Sequence, residues 1–382
     1  MITGIKSSRI VLPDRITSGY VYLQDSKILS VSSQRQPCDR LLDYGDLYVA
    51  PGFIDLHTHG CNGIAYSRCT LPEAQQACAF HMAHGATTLL PTISAGPLEE
   101  METALSVLAQ LVDDPDLPLT VPGIHLEGPY LNENQCGAQR PGVITPPNRQ
   151  AYTQLVGKLG QSIARWDFAP ENDEDLDFCK YIRSKGILPS VGHSDARYEE
   201  LLPAVREGCT LVTHLYSCTS TITRQQGFRH LGIVETAYLL PELDVEIIAD
   251  GKHLPPELIN MIVKIKGREH VALVTDSLSA TGLAITEGVM DGSPFIVEDG
   301  VCKLPDRSAF AGSIALPDQL LRTVTAECGI SMVDGVYMLT ATPARILGLP
   351  KGRLEAGLDG DVVVFDDSIS IKALFSGGIQ RI

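Results

Sequence analysis

The middle of the chain alternates between short continuous apolar runs and longer stretches of helical period, and each run stops at a polar or turn residue. Eight such runs are Phe53-Ile-Asp-Leu-His57, Thr87-Thr-Leu-Leu-Pro91, the run from Gly123 into Glu127, Trp166-Asp-Phe-Ala-Pro170, Leu188-Pro-Ser-Val-Gly-His193, Leu211-Val-Thr-His214, Val245-Glu-Ile-Ile-Ala-Asp250 and Ala272-Leu-Val-Thr-Asp276. Strands alternating with helices imply a parallel sheet with helical crossovers, and eight units predict a closed (β/α)8 TIM-like barrel. The segment from Pro72 to Gly85 reads as one crossover helix, with an early proline and a terminal glycine. Gly85 and Gly208 read as helix stops just before strands. Residues 282–312 break the alternation and predict an excursion or hairpin before a helix starting near Pro317.

The two ends have a different texture. Arg9-Ile-Val-Leu12, Gly19-Tyr-Val-Tyr-Leu23 and Lys27-Ile-Leu-Ser-Val31 are β-rich and punctuated by turn residues. They are too little for a stable domain alone. Gly352-Arg-Leu354, Asp361-Val-Val-Val-Phe365 and the run from Ile371 to Gly378 supply matching strands. The predicted division of this α/β chain is a small β-sandwich from 1–52 plus 347–382, and a barrel from 53–346.

A chain of 382 residues with 44% hydrophobic and 20% charged content can bury a substantial core. Its formal net charge of -16 argues against nucleic acid or an anionic membrane as partner. No apolar stretch is long enough to span a bilayer, and Met1-Ile-Thr-Gly-Ile-Lys6 has no signal-peptide pattern. The 10 cysteines are scattered without a Cys-x-x-Cys pair, which predicts mostly buried thiols in a reducing cytoplasm.

In a β/α barrel, functional groups collect at the C-terminal ends of the strands. His57, His59, Glu127, His193, His214 and Asp276 all fall there, where packing histidines have no reason to concentrate. A lone carboxylate such as Glu127 at the end of an apolar strand is costly to bury unless it meets a cation. The alternative for Glu127 is a capping or turn carboxylate, and for Asp276 a cap on the turn Ser277-Leu-Ser-Ala-Thr-Gly282. Imidazoles and carboxylates together suit a divalent metal: Glu127, His193 and His214 supply three ligands and leave positions open, and Asp276 can carry a proton. His57 and His59, two apart on a strand, point to one face and can hold a second metal. His81 and His84 lie on the predicted helix and read as surface or packing residues. Serine-hydrolase, P-loop and dinucleotide-binding motifs are absent.

Pro51-Gly-Phe-Ile-Asp-Leu-His-Thr-His-Gly60, His125-Leu-Glu-Gly-Pro-Tyr-Leu-Asn132, Gly192-His-Ser194, Thr213-His-Leu-Tyr216, Ile248-Ala-Asp-Gly-Lys-His253, Val274-Thr-Asp276, Ala311-Gly-Ser313 and the terminal Gly352-x-Leu-x-x-Gly-x-x-Gly-Asp-Val-Val-Val-Phe365 carry a resemblance over nearly the whole chain. They are similar to the N-acetylglucosamine-6-phosphate deacetylase family of the amidohydrolase superfamily, many of whose other members place a carbamylated lysine where Glu127 stands. The resemblance implies hydrolysis of an acetamide to acetate and a free amine, with Glu127, His193 and His214 on the catalytic metal and Asp276 as general base and acid. It implies one or two divalent ions per subunit, Zn2+ first and Fe2+, Mn2+ or Co2+ as alternatives, and a homodimer in which a neighbouring subunit completes the phosphate pocket. Ala138, Gln139, Ser217, Cys218, Asp250 to His253, and Phe310, Ala311 and Gly312 are the implied sugar-binding positions. The chain departs from the family pattern at Ser217-Cys218, where Asn-Ala is usual, at Gln139, where His is frequent, and at Arg229-His-Leu-Gly232, which stands about four residues later than the usual Arg-Glu-Pro-Gly. Arg229 and Arg224 are the two candidates for the phosphate. The expected substrate is thus a small amino sugar phosphate, most plainly N-acetylglucosamine 6-phosphate. The alternatives are the galacto epimer, an unphosphorylated sugar, another N-acyl or cyclic amide, or a non-catalytic metal-stabilised binding protein.

Overall fold

The structure is a computed structural model that describes residues 1–382, the side chain of Pro141 excepted. Eight strands form its centre: β1 (Phe53–Thr58), β2 (Ala86–Ser94), β3 (Ile124–Glu127), β4 (Ile163–Phe168), β5 (Leu188–Val191), β6 (Leu211–Val212), β7 (Asp244–Ile248) and β8 (Val271–Val274). Each pairs in parallel with the next in chain order. Just beyond the strands the ring is drawn shut, because Thr58 bridges Ser277 in parallel and the Asp276 backbone N–H donates to the His57 carbonyl at 2.9 Å.

Strands buried on both faces carry apolar residues at successive positions, and the two faces have different partners. Leu89, Leu126, Trp166, Val191, Val212, Ile247 and Leu273 join the large cluster that packs against the helices. Their sequence neighbours Leu90, Ile248, Ala272 and Val274 join Ile54, Leu56 and Ala344 in a second cluster, filling the barrel beside β1, β2, β7 and β8. Opposite them the filling is polar: His125, Arg165, Asp167, Ser190, Thr213 and Glu246 are all fully buried.

The predicted crossover helix α1 runs Leu71–Ala83. Glu73 Oε2 accepts from both the Thr70 N–H and the Thr70 hydroxyl at 2.7 Å, which caps its first turn. The 282–312 excursion is a four-stranded antiparallel sheet of Glu287–Met290, Ser293–Glu298, Val301–Lys303 and Phe310–Gly312, and a helix follows at Pro317–Arg322.

Both ends of the chain share one sheet. Its order is 379–380, 371–376, 362–365, 48–51, 2–11, 16–24 and 27–32, with 40–43 pairing the first half of 2–11 and 48–51 its second half. This division of one long strand between two neighbours lets the sheet enclose its own cluster of Ile5, Val21, Leu23, Ile28, Val49, Val362, Val364 and Phe375. Lys351 fastens it to the barrel: its ammonium donates to Asp361 at 2.7 Å and to Thr88 and Thr120 at 3.0 Å each. The expected strand at Gly352-Arg-Leu354 is instead irregular chain. Gly352 has φ 83°, and a Cβ there would stand 2.4 Å from the Thr340 carbonyl oxygen, so the backbone turns where a strand would continue. Leu354 still fills the terminal cluster.

Candidate active site

The strand ends converge at one mouth of the barrel. Glu127 is the last residue of β3, and its Oε1 lies 3.1 Å from His193 Nε2 and 3.0 Å from His214 Nε2. Its Oε2 lies 3.2 Å from His59 Nε2, so one carboxylate stands between two groups of imidazoles. His57 Nε2 is 3.1 Å from His59 Nε2 and 3.5 Å from Glu127 Oε1. Asp276 Oδ1 approaches the same two rings, at 3.5 Å from His57 and 3.3 Å from His59.

Backbone conformation helps to aim these groups. His193, His214 and Asp276, each just past its strand, have φ of 48°, 30° and 47°. Non-glycine residues in the left-handed region cost on the order of 1–3 kcal/mol each and cluster at functional sites. Here the turn folds each side chain back over the barrel mouth. Gly312 supports the last of them: it has φ 135°, and a Cβ there would lie 2.7 Å from Leu278 Cδ2 and 3.1 Å from the Asp276 carbonyl oxygen.

Hydrogen-bond bookkeeping tests whether a metal fits. The His193 Nδ1–H donates to the Gln135 carbonyl at 2.8 Å, which leaves Nε2 as a bare lone pair. That lone pair faces the Glu127 carboxylate and, at 3.2 Å, the Nε2 of His214. Acceptors facing acceptors in a buried site require positive charge between them. Burial pushes the Glu127 carboxyl up, but the surrounding imidazoles outweigh it and hold it well below the usual range. Burial pulls His59 down, yet Asp276 and Glu127 hold it at about 10. The donor set of four imidazole nitrogens and two carboxylates therefore fits one or two divalent cations.

Beside this cluster opens a cavity of about 240 Å³. Ala138, Gln139, Ser217, Cys218, His253, Phe310, Ala311 and Gly312 line it together with His59, Glu127, His193, His214 and Asp276. Gln139 is tied to the cluster, its Nε2 donating to Glu127 Oε2 at 2.7 Å. Asp250 stands behind His253, accepting from its Nδ1 at 2.8 Å so that the opposite ring edge is free for the cavity, and Phe310 packs on the same ring at 4.8 Å between centroids. Arg224 and Arg229 lie outside. They face each other across an exposed hairpin of Thr223–Gln225 and Phe228–His230 and do not line their own chain's cavity. The cavity's arginine is Arg140, which the sequence reading missed, and beside it stands Asp291 at the left-handed tip of the 287–298 hairpin. Arg140 Nε and both Asp291 carboxylate oxygens are buried without a hydrogen-bond partner. Adjacency to Gln139 was the available signal for Arg140; nothing in the local pattern marked Asp291. His81 is a packing residue, fully buried with Nε2 3.1 Å from Thr58 Oγ1, and His84 pairs with Asp318 at 3.2 Å.

The comparisons agree with this architecture. Residues 48–380 match the model of the amidohydrolase family. The chain is 27% identical over 371 residues to the N-acetylglucosamine-6-phosphate deacetylase of Lysinibacillus sphaericus, spanning 95% of this chain and 93% of that one. It is 30% identical over 331 residues to the N-acetylgalactosamine-6-phosphate deacetylase of Shewanella sp., spanning 86% and 81%. A solved structure of a mutant N-acetyl-D-glucosamine-6-phosphate deacetylase from Mycobacterium smegmatis, in complex with N-acetyl-D-glucosamine-6-phosphate, superposes with a TM-score of 0.92 at 28% identity over 99% of both chains. With the strand-end cluster and a match over most of its length, the chain belongs to the amidohydrolase family.

Proposed function

We propose that this enzyme hydrolyses the acetamide of N-acetylglucosamine 6-phosphate, releasing acetate and the amino sugar phosphate. The observation that carries the reading is the convergence of Glu127, His193, His214, His57, His59 and Asp276 on one side of a sugar-sized cavity. Whole-chain similarity to deacetylases of 6-phosphorylated N-acetylhexosamines supports the substrate class.

In this reading Glu127, His193 and His214 hold the catalytic metal, and His57 and His59 are available for a second. When bound, a divalent cation supplies Lewis acidity toward an amide carbonyl and toward water. Zn2+ is the first candidate, with Fe2+, Mn2+ and Co2+ as alternatives. Asp276 takes a proton from the attacking water as the C–O bond forms at the acetyl carbon. The same carboxyl returns it to the departing nitrogen as the C–N bond breaks. Its left-handed turn and its place beside His57 and His59 keep that carboxylate over the cavity. Ala138, Gln139, Ser217, Cys218, His253, Phe310, Ala311 and Gly312 hold the sugar, with Asp250 orienting His253.

The phosphate end is supplied from a neighbouring subunit. The hairpin that carries Arg224 and Arg229 also exposes Phe228 (73%) and Ile222 (52%), a basic and apolar combination suited to insertion at a subunit interface. The working unit is therefore a homodimer, with a barrel of 53–346 and a terminal unit of 1–52 plus 347–382. A cytoplasmic location suits the free cysteines, and among the described residues no helix is long and apolar enough to cross a membrane.

Chelation tests the reading. Dialysis against a strong chelator should abolish acetate release from N-acetylglucosamine 6-phosphate, and stoichiometric Zn2+, Fe2+, Mn2+ or Co2+ should restore it. Full turnover by protein verified to be free of metal would overturn it.

A further inference from the structure

Beneath the barrel mouth lies a layer of buried charge that hydrolysis does not use directly. Arg165 on β4 donates to Glu246 on β7 through Nη1. Its Nη2 reaches Asp167 Oδ1 at 3.2 Å and Thr213 Oγ1 at 2.9 Å. Asp167 Oδ2 lies 3.0 Å from His125 Nε2, and His125 Nδ1 lies 3.1 Å from Thr92 Oγ1. Arg165, Asp167, Glu246, His125 and His57 are each 0% exposed.

Five atoms of this layer have no hydrogen-bond partner: Arg165 Nε, the facing pair Asp167 Oδ2 and His125 Nε2, and a second facing pair, Glu246 Oε2 and His57 Nδ1. Glu246 gives Oε1 to Arg165, and its Oε2 has no hydrogen-bond partner. His57 Nδ1 is likewise buried and unpartnered, 3.8 Å from that oxygen. A buried carboxylate oxygen and a buried imidazole nitrogen left unmade cost on the order of 1–3 kcal/mol each, and closing the gap by less than 1 Å satisfies both. We propose that Glu246 is the positioning residue of His57: it accepts the Nδ1 proton, fixes the ring, and so presents Nε2 as a lone pair to the cluster of Glu127, His59 and Asp276.

The argument is one of proton placement. An imidazole has one proton to place when neutral, and it ligates only through the nitrogen without it. At His193 the Gln135 carbonyl performs this task, and at His59 the Nδ1 lies 3.0 Å from Ser94 Oγ. At His57 the polar atom that Nδ1 faces is Glu246 Oε2. Arg165 is what makes the arrangement directional. A guanidinium only donates, so it holds one Glu246 oxygen and leaves the other to accept from His57. Carboxylates behind metal-binding histidines typically raise affinity about 10–100-fold.

The inference rests on the metal reading above, and its test separates the two. In Glu246→Gln, Arg165 still demands the amide oxygen, so the NH2 group faces His57 Nδ1 and favours the tautomer with its proton on Nε2. The measurements are metal content and affinity by chelator competition, and the His57 proton position by imidazole 15N NMR, assigned through His57→Gln. Expected in wild type are a proton on Nδ1 and bound metal. In Glu246→Gln the proton moves off Nδ1 and at least one ion per subunit weakens about 10–100-fold. A wild-type proton on Nε2, or a Glu246→Gln protein with unchanged metal number, affinity and tautomer, would overturn the proposal. Wild-type protein that binds no ion would instead sink the metal reading, and its His57 proton position would still decide this one, even if the variant failed to fold.

Discussion

Replacing Asp276 by Asn isolates the proton carrier from everything else the site does. The substitution keeps shape and removes basicity. The backbone has no reason to change: φ at 276 is 47°, a region that Asn tolerates well, and the local bonds, Asp276 N–H to His57 carbonyl and Ser313 N–H to Asp276 carbonyl at 2.9 Å each, are main-chain. Metal retention should also hold, because Glu127, His193, His214, His57 and His59 remain. No second carboxylate can take over, since Glu127 is already surrounded by imidazoles and Gln139. General acid–base catalysis contributes about 10²–10⁴, which is ~3–5 kcal/mol of barrier at 1.36 kcal/mol per decade. We therefore expect kcat for acetate release to fall by about 10²–10⁴ with the metal content and melting temperature of wild type. A metal-replete Asp276→Asn protein turning over within tenfold of wild type would refute the role.

Three further outcomes follow from the geometry. Arg140→Ala should raise KM for the sugar phosphate while leaving kcat within a few-fold, because Arg140 lines the cavity with its Nε unpartnered and is not among the metal-site residues; steady-state kinetics read the split, and an unchanged KM counts against any substrate contact. If the hairpin arginines serve the neighbouring subunit, Arg229→Ala and Asp276→Asn homodimers should each be impaired and mixed dimers should regain activity. Mixtures no better than the sum of their parts would place Arg229 elsewhere. Lys351→Met leaves Asp361, 3% exposed, without its cation, and breaking such a buried pair costs about 3–5 kcal/mol. Thermal unfolding should show a drop of several degrees, and an unchanged midpoint would mean that the tie contributes little.

The sequence was informative where function and periodicity coincide. Each barrel strand is a short apolar run with a visible stop, so all eight could be placed, although β2 runs on to Ser94 beyond the expected Pro91. Histidines and carboxylates at strand ends were legible for the same reason: the stops themselves are the polar residues. Arg140 and Asp291 escaped because they reach the cavity through loop and hairpin paths that no period encodes. The Arg165, Asp167 and Glu246 layer was written in the sequence as charges alternating with Trp166, Val245 and Ile247. In a strand buried on both faces, such charges must find partners inside the barrel. Gly352 to Leu354 misled because apolar content was right and backbone conformation was not.

The most direct test of the central claim is acetate release by metal-reconstituted protein from N-acetylglucosamine 6-phosphate, its galacto epimer and the two unphosphorylated sugars, assayed side by side. The account predicts turnover of the phosphorylated sugars, highest for N-acetylglucosamine 6-phosphate, and little from the unphosphorylated pair. Equal turnover of the unphosphorylated sugars, or no acetate from any of the four by metal-replete protein, would contradict it.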